Sequence, residues 1–161
     1  MRTEAELAKL TAAESMAIFL RNFSKVPEDK LTWSPAPTAK SAIRIAAHAA
    51  LYYSRFAEMI RTKKLPEVAD LDEWLRLRNA EEEALTTREA VEGAFRAGLE
   101  EVRAAIDQLT PEEIASELDS GQGWTMSMSF LIRLPGWHTT LHCGQIDLLQ
   151  TCWGDQEIYV G

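Results

Sequence analysis

Residues 131–149 read LIRLPGWHTTLHCGQIDLL and indicate an all-α fold, because they combine helical spacing of apolar residues with two histidines one turn apart. This spacing predicts a helix that continues to about residue 153. Pro135 lacks a backbone donor, so we expect it to kink the helix or restart it one turn before His138. The inward stripe predicted for this helix is Leu131, Leu134, His138, Leu141, His142, Gln145, Leu148 and Leu149.

Three further segments, roughly residues 3–24, 38–62 and 87–109, show the same helical periodicity. Potential capping residues, Pro or Gly bound each segment, and Thr38 is the predicted cap of the second. No segment shows the alternation of a strand. The predicted inward stripes are Leu7, Leu10, Ala13, Ala17 and Leu20 in the first helix, Ile45, Ala49, Tyr52, Phe56 and Met59 in the second, and Val91, Phe95, Gly98, Val102 and Ile106 in the third.

The connection between the second and third helices is long and polar. Its residues 62–81 read TKKLPEVADLDEWLRLRNAE. A loop that joins two adjacent antiparallel helices does not need so many residues. A connection of this length can cross a bundle and make the two helices parallel. The sequence therefore predicts one all-α domain over residues 1–161, folded as a four-helix bundle.

Composition and charge exclude several classes of partner. The formal net charge is -8 and no basic stripe is present, so we expect no binding to nucleic acid. No stretch approaches the roughly 18 apolar residues that span a bilayer, and the first residues lack the apolar core of a signal peptide. Cys143 and Cys152 lie on opposite sides of one predicted helix, so they cannot pair. We therefore expect a cytoplasmic protein with reduced thiols and no membrane partner.

The three histidines of the chain are the candidate functional residues. His138 and His142 are four residues apart, which places them on one helix face at a spacing that suits a single metal ion. His48 lies beside the apolar stripe of the second helix and is expected to point inward. The three imidazoles are thus predicted to converge, and the alternative is that each is a hydrogen-bonded core residue.

Three neutral imidazoles favour zinc, nickel, copper or iron(II) over calcium or magnesium, and we take zinc or nickel as the first expectation. Three protein ligands leave a coordination position for water or substrate, as in catalytic zinc sites. The H-x-x-x-H spacing does not complete the metalloprotease motif, because Thr139 stands where that motif has its glutamate base. Peptidase chemistry of that type is therefore excluded.

Three neighbouring residues are candidates for shaping the site. Tyr52 follows His48 by one turn and could donate a proton, while Arg55 follows it by nearly two turns and could hold an anionic group. Gln145 is three residues past His142 and could orient that imidazole as an outer partner. The alternative for each is packing or solvation at a helix end.

At the level of motifs the chain resembles the DinB/YfiT-like family of small four-helix-bundle proteins, a family of candidate metalloenzymes. The stretch HTTLHCGQIDLL at residues 138–149 is similar to the family's H-x-x-x-H-x-G-Q motif. The segment VPEDKLTWSPAPTAKSAIRIAAHAA at residues 26–50 is similar to its Trp- and Pro-containing linker and first histidine helix. The resemblance covers essentially the whole chain and implies that His48, His138 and His142 are metal ligands.

The resemblance also carries expectations about topology and activity. It implies an up-down-down-up bundle, homodimers, and in some members thiol-dependent transfer or isomerisation. Two departures from the family pattern are Lys40, where Trp is frequent before Ser41, and Cys143, where a basic or bulky residue is frequent. Because of these two residues, we expect the entrance of the pocket to differ from that of other family members.

The leading functional expectation is a metal-dependent enzyme, resembling an S-transferase, that presents a small-molecule thiol to an electrophile. A metal-dependent hydrolase is the nearest alternative, ranked lower because the sequence offers no clear carboxylate base near the histidines. A non-catalytic metal-binding or stress-associated protein is the second class. A plain helical interaction module with buried histidines is the third.

Overall fold

In a computed structural model, which describes residues 2–159, the chain is mostly helical. The described residues form seven α-helices, one 3-10 turn and one two-stranded antiparallel hairpin. The helices are α1 (Glu4–Lys25), α2 (Ala42–Thr62), α3 (Leu71–Ala84), α4 (Arg88–Asp107), α5 (Pro111–Ile114), α6 (Met128–Leu131) and α7 (Leu134–Cys152); the strands are β1 (Glu117–Asp119) and β2 (Thr125–Ser127), and the 3-10 turn is Glu28–Lys30.

The start of α2 corrects the predicted cap. Ser41, not Thr38, occupies the N-cap position. The chain before it is held in turns, because the hydroxyl of Ser34 donates to the carbonyl oxygens of Ala36 and Ala39. Thr38 lies inside this turn segment and therefore cannot begin the helix.

Helix α3 is a second correction, because it lies in the segment predicted to be a polar connection. Asp70 caps it by accepting a hydrogen bond from the backbone N–H of Glu73. Glu82 is the one residue of α3 that is buried. The helix carries no apolar stripe facing the core, and for that reason periodicity did not reveal it.

The hairpin is a third correction, since no strand was predicted. Glu117 pairs with Ser127 and Asp119 with Thr125, and the loop between them is SGQGW at residues 120–124. Gly121 and Gly123 have φ angles of 70° and 85°, which glycine adopts without a steric penalty. Strands of three residues are too short to show a recognisable alternation in the sequence.

The last helix restarts at the proline, as predicted. Helix α6 ends at Leu131, and α7 begins at Leu134 with Pro135 in its first turn. A proline is tolerated there because the first N–H groups of a helix have no intrahelical acceptor. His138 consequently lies one turn inside α7.

The predicted inward stripes are right for α4 and wrong for α1 and α7. All five stripe residues of α4 are buried. In α1 the buried face is shifted, while Leu7 is 49% exposed. In α7 Leu141 and Leu148 are exposed, which leaves His138 and His142 at the edge of the buried face. The buried residues are Ala8, Ala12, Ser15, Met16, Phe19, Asn22 and Phe23 in α1 and Pro135, Gly136, Thr139, Cys143, Ile146, Leu149 and Gln150 in α7.

The core lies between the four long helices α1, α2, α4 and α7. The rings of Phe19 and Phe95 meet at 5.2 Å across α1 and α4. Gly98 of α4 lies directly against Tyr53 of α2, where a β-carbon on the glycine would stand 2.5 Å from Tyr53 Cβ. The Tyr53 hydroxyl donates to the carbonyl of Ala12 at 2.8 Å, and Thr139 donates to the same hydroxyl at 3.3 Å. One side chain therefore ties α2 to both α1 and α7.

Cys143 and Cys152 are both free, in agreement with the prediction that they do not pair. Within residues 2–159, no helix has the length and the apolar character that a transmembrane span requires.

Candidate metal centre

The three histidines meet between α2 and α7. The ring centroids of His138 and His142 are 4.3 Å apart. The ring centroid of His48 lies 5.2 Å from that of His138 and 4.7 Å from that of His142. One nitrogen from each residue can be chosen so that all three lie within 4.8 Å of one another. The structure thus brings together the three residues that the sequence singled out.

Small residues position the two helices that carry the histidines. Ala46, Ala47, Ala49 and Ala50 surround His48 and are fully buried, so α2 has little side-chain bulk at this level. Gly136 lies two residues before His138, and a β-carbon there would stand 2.9 Å from Thr11 Cγ2 of α1. The glycine therefore lets the first turn of α7 lie against α1.

Two hydrogen bonds fix the orientation of two imidazoles. The Nδ1 atom of His48 lies 2.6 Å from Glu82 Oε1, and Nδ1 of His142 lies 2.7 Å from Gln145 Oε1. Both oxygens are acceptors, so each Nδ1 carries a proton and donates it. The lone pair of each ring is then on Nε2, the arrangement that an outer hydrogen-bond partner gives to a metal-binding histidine.

Glu82 was missed by the sequence analysis, which found no clear carboxylate base near the histidines. Its side chain is 2% exposed and contacts Lys40 and Arg44 as well as His48. Burial alone would raise the pKa of Glu82, but hydrogen bonds from His48 and Lys40 outweigh burial and hold that pKa at about 2. Glu82 sits in a run of three glutamates at residues 81–83, and nothing in the sequence distinguishes it from its neighbours.

The histidines of α7 are held neutral. Burial, followed by the charges of His142 and His48, lowers the pKa of His138 to about 3. Burial also lowers the pKa of His142, although its hydrogen bond with Gln145 acts in the opposite direction. A neutral imidazole keeps a lone pair for a metal, whereas an imidazolium has none.

The Nε2 atoms of His138 and His142 lie at a spacing that also suits two ligands of one ion. Their Nε2 atoms face each other at 3.1 Å. Two nitrogens bound to one zinc ion at about 2.0–2.1 Å in a tetrahedral arrangement would lie about 3.3 Å apart. The Nδ1 atom of His138 is buried without a hydrogen-bond partner among the described residues, so no such partner fixes this ring as it does the other two. The donor set fits a divalent transition metal.

Tyr52 contacts two of the histidines and Arg55. Its ring stacks on His138 with the two centroids 4.6 Å apart, and its centroid lies 4.5 Å from that of His48. The guanidinium of Arg55 lies over the Tyr52 ring at 4.6 Å and forms an ion pair with Glu81. Tyr52 is thus in contact both with the candidate metal centre and with the Arg55 cation.

A cavity of about 440 Å³ opens onto two of the histidines, His48 and His142. Gln145 and Lys40 also line it. Its remaining walls are largely apolar and are formed by Pro35, Ala39, Ile45, Leu148 and Leu149. A small molecule can therefore reach the imidazoles without unfolding the chain.

Comparisons with known proteins agree with this architecture. A family profile described as the DinB superfamily matches residues 3–146. A DinB-like protein (YjoA) from Bacillus subtilis has a similar solved structure, with a TM-score of 0.66, 17% sequence identity, and coverage of 95% of this chain and 96% of that one. No curated protein matches the chain. At this identity the structural match speaks to the fold alone.

Proposed function

The chain belongs to the DinB superfamily, and on that premise we propose that His48, His138 and His142 bind one divalent transition metal, zinc or nickel. The observation that carries the proposal is the convergence of three imidazole nitrogens within 4.8 Å. The outer contacts of Glu82 and Gln145 support it, because they direct two Nε2 lone pairs toward the centre.

We further propose that the protein is a metal-dependent enzyme that uses a small-molecule thiol, similar to an S-transferase. A divalent metal with three protein ligands supplies a Lewis acid that lowers the pKa of a thiol or water beside it. The cavity of about 440 Å³ supports this role because it reaches His48 and His142. Lys40 in its wall can donate to a carboxylate of the thiol, and Leu148 and Leu149 offer apolar contacts.

A metal-dependent hydrolase remains the alternative enzyme, and Glu82 does not favour it. The Glu82 carboxylate is buried, is turned to His48 and Lys40, and has a pKa of about 2. A base for water needs a pKa closer to the working pH and access to the reacting water. Tyr52 and Arg55 remain the candidates for contact with substrate, Tyr52 through its place beside His138.

Metal content tests the first part of the proposal. The purified chain is loaded with Zn²⁺ or Ni²⁺, passed through a desalting column and measured by elemental analysis. We expect about one ion per chain in the wild type and loss of most of it in His142→Ala, because a site with two ligands binds weakly. Cys152→Ala, an exposed change on the same helix, should retain the metal. A wild type without stoichiometric metal would refute the site.

Thiol chemistry is tested on the metal-loaded protein. Glutathione, mycothiol and bacillithiol are each supplied with a generic electrophile, and conjugation is followed with and without a chelator. We expect conjugation with one thiol, abolished by the chelator and by His142→Ala. Inactivity with every thiol in a protein that holds metal would favour the non-catalytic metal-binding or stress-associated alternative.

We propose that the four long helices form an up-down-down-up bundle. Ser15 contacts Thr140 and Asn22 contacts Asp147, so residue numbers rise together along α1 and α7 and a parallel pair is supported. Tyr52 contacts His138 while His48 contacts His142, and this opposite order supports antiparallel α2 and α7.

We also propose a homodimer that forms through an apolar face of α1, α6 and α7. Leu7, Phe130 and Trp137 are exposed there and line a cavity of about 820 Å³. Glu4 and Arg133 lie beside them. In a two-fold interface, Glu4 of each copy can form an ion pair with Arg133 of the other copy. Light scattering should give a dimer for the wild type and Leu77→Glu, and a monomer for Trp137→Glu. A monomeric wild type would contradict the proposal.

The two free cysteines, one of them exposed, support a reducing compartment, and we propose the cytoplasm.

A further inference from the structure

A further cavity, larger than the one that reaches the histidines, has Tyr52 in its wall. It has a volume of about 920 Å³ and is bounded by the second half of α2, the chain from Lys64 to Val68, α3 and the tip of the hairpin. We propose that this cavity binds an organic anion that has an aromatic or aliphatic body and a single acidic group such as a carboxylate or sulfonate.

The walls of the cavity fit the body of such a ligand. Trp74 of α3 and Trp124 of the hairpin face it together with Met59 and Leu65. Its volume is in the range of small-molecule sites, which are mostly apolar and carry a few polar groups that fix orientation. Trp124 is 42% exposed at the rim, so an entering apolar ligand would cover it.

The charges of the cavity fit an acidic group. Three cations, Arg55, Lys64 and Arg78, line it against two carboxylates, Glu58 and Glu81, which leaves one positive charge in excess. The whole chain, by contrast, carries a net charge of -8. An anion is therefore attracted to this cavity although most of the protein repels it.

The guanidiniums also have donors to spare. Arg55 and Arg78 both donate to the single carboxylate of Glu81. Nη1 of Arg55 and Nε of Arg78 are buried and have no acceptor among the described residues. A buried donor without an acceptor is unfavourable, and guanidiniums bind carboxylates and related anions in paired hydrogen bonds. Small movements of these side chains would let one ligand oxyanion serve both.

The site is separate from the histidine centre yet adjacent to it. None of the three histidines lines the cavity, so binding there does not require a metal. Arg55 and His138 both contact the Tyr52 ring. A role for the bound anion as the electrophile of the enzyme would rest on the proposed function, whereas its binding would not.

Two fluorescent probes that differ in one acidic group test the proposal. The naphthalene sulfonate 8-anilinonaphthalene-1-sulfonate is titrated into the full-length protein alongside N-phenyl-1-naphthylamine, which lacks the sulfonate. We expect the sulfonate to bind more tightly. Its affinity should be the same with and without Zn²⁺ and in His142→Ala, so failure of the metal proposal would leave this result intact.

Variants assign the binding to this cavity. Arg55→Gln and Arg78→Gln should each weaken sulfonate binding about tenfold, the effect of losing a charged hydrogen bond, and should leave the neutral probe nearly unchanged. Glu81→Gln should strengthen sulfonate binding, because it removes the carboxylate that occupies both guanidiniums. Arg103→Gln, an exposed change on α4, should alter neither probe.

Tryptophan variants locate the probe. Trp74→Ala should weaken binding of both probes, whereas Trp137→Ala, in the apolar cavity beside α1, should weaken neither. Circular dichroism checks that each variant is folded. If Arg55→Gln does not fold, Arg78→Gln alone tests the role of the guanidiniums. Equal affinities for the two probes, sulfonate binding unchanged in the folded arginine variants, or binding lost in Trp137→Ala alone would each overturn the proposal.

Discussion

Helix α2 packs against α4 on one side and against α3 on another, and the two contacts are built from different interactions. Toward α4 it presents Tyr53, which lies against the bare backbone of Gly98. Toward α3 it presents charges: Arg44 and Arg55 pair with the glutamates at residues 81–83, and Lys40 just before α2 joins them. One contact is close and apolar, and the other is polar and surrounds a single buried carboxylate.

The two contacts place the apolar packing of α2 and the polar groups beside the candidate metal centre on different sides of one helix. Apolar contact at short range depends little on pH or salt, so the α2 and α4 pair forms a constant scaffold. Ion pairs at a partly exposed contact contribute little to stability and are screened by salt. What the α3 contact adds is Glu82, which orients His48.

The largest expected effect comes from breaking the apolar contact. Gly98→Ala would place a β-carbon 2.5 Å from Tyr53 Cβ and 3.3 Å from the Ser54 backbone nitrogen, so the helices must move apart. We expect a loss of about 2–3 kcal/mol in the free energy of unfolding, measured by urea denaturation. Gly93→Ala is the matched control on the same helix: nothing lies near its β-carbon, and it should stabilise the chain by up to about 1 kcal/mol. Equal effects would contradict the close contact.

The next effect tests the polar contact through metal affinity, on the premise that the histidines bind metal. Glu82→Gln keeps an acceptor for His48 but removes the charge, and Zn²⁺ affinity should fall about tenfold in competition with a chelator. Glu83→Gln, which removes an exposed partner of Arg44, should change it little. Indistinguishable affinities in the two variants would show that Glu82 does not act on the centre.

Acid should weaken the metal-free protein in two overlapping ranges. The pKa of His138 is lowered from 6.5 to about 3, so the unfolded chain takes up a proton first and stability falls as pH drops from about 6.5 toward 3. The pKa of Glu82 is lowered from 4.5 to about 2, so its contribution is present above pH 4.5 and is lost toward pH 2. Urea denaturation across this range should give a shallower decline below pH 4.5 for Glu82→Gln than for Glu83→Gln. A decline of the same steepness in both would contradict the lowered pKa.

The smallest expected effect is that of salt on α3. In about 1 M NaCl the screening length falls to about 3 Å, which weakens the exposed pairs of Glu81 and Glu83. Hydrogen exchange followed by mass spectrometry should show α3 amides exchanging about two- to fivefold faster in salt, with α4 amides unchanged. A uniform response of both helices would argue against the contrast between the two contacts.

The sequence was sufficient for elements whose signal is local. The α4 stripe and the restart at Pro135 follow from periodicity and from the missing proline donor. The core faces of α1 and α7 were misassigned because the predicted stripes followed leucines such as Leu7 and Leu141, which the folded chain leaves exposed. The buried faces actually use Ala8, Ala12 and Gly136, whose value lies in how closely another helix approaches, and spacing does not report that.

The candidate metal centre was also predictable only in part from the sequence. Histidines four residues apart on one helix are visible in a sequence, and His48 was singled out by the apolar stripe beside it. Glu82 was not visible, because its burial depends on Lys40 and Arg44, which meet it only in the folded chain. The large cavity was likewise hidden, since it lies beneath α3, a helix that periodicity did not predict.

The positions of the histidines along the chain also set the timing of assembly. His48, in α2, leaves the ribosome well before His138 and His142, which lie in α7. The growing chain therefore carries a lone imidazole until α7 has been made. Any ion that the three share can be captured only after α7 has been synthesised, and a product truncated before α7 would have no means of retaining it.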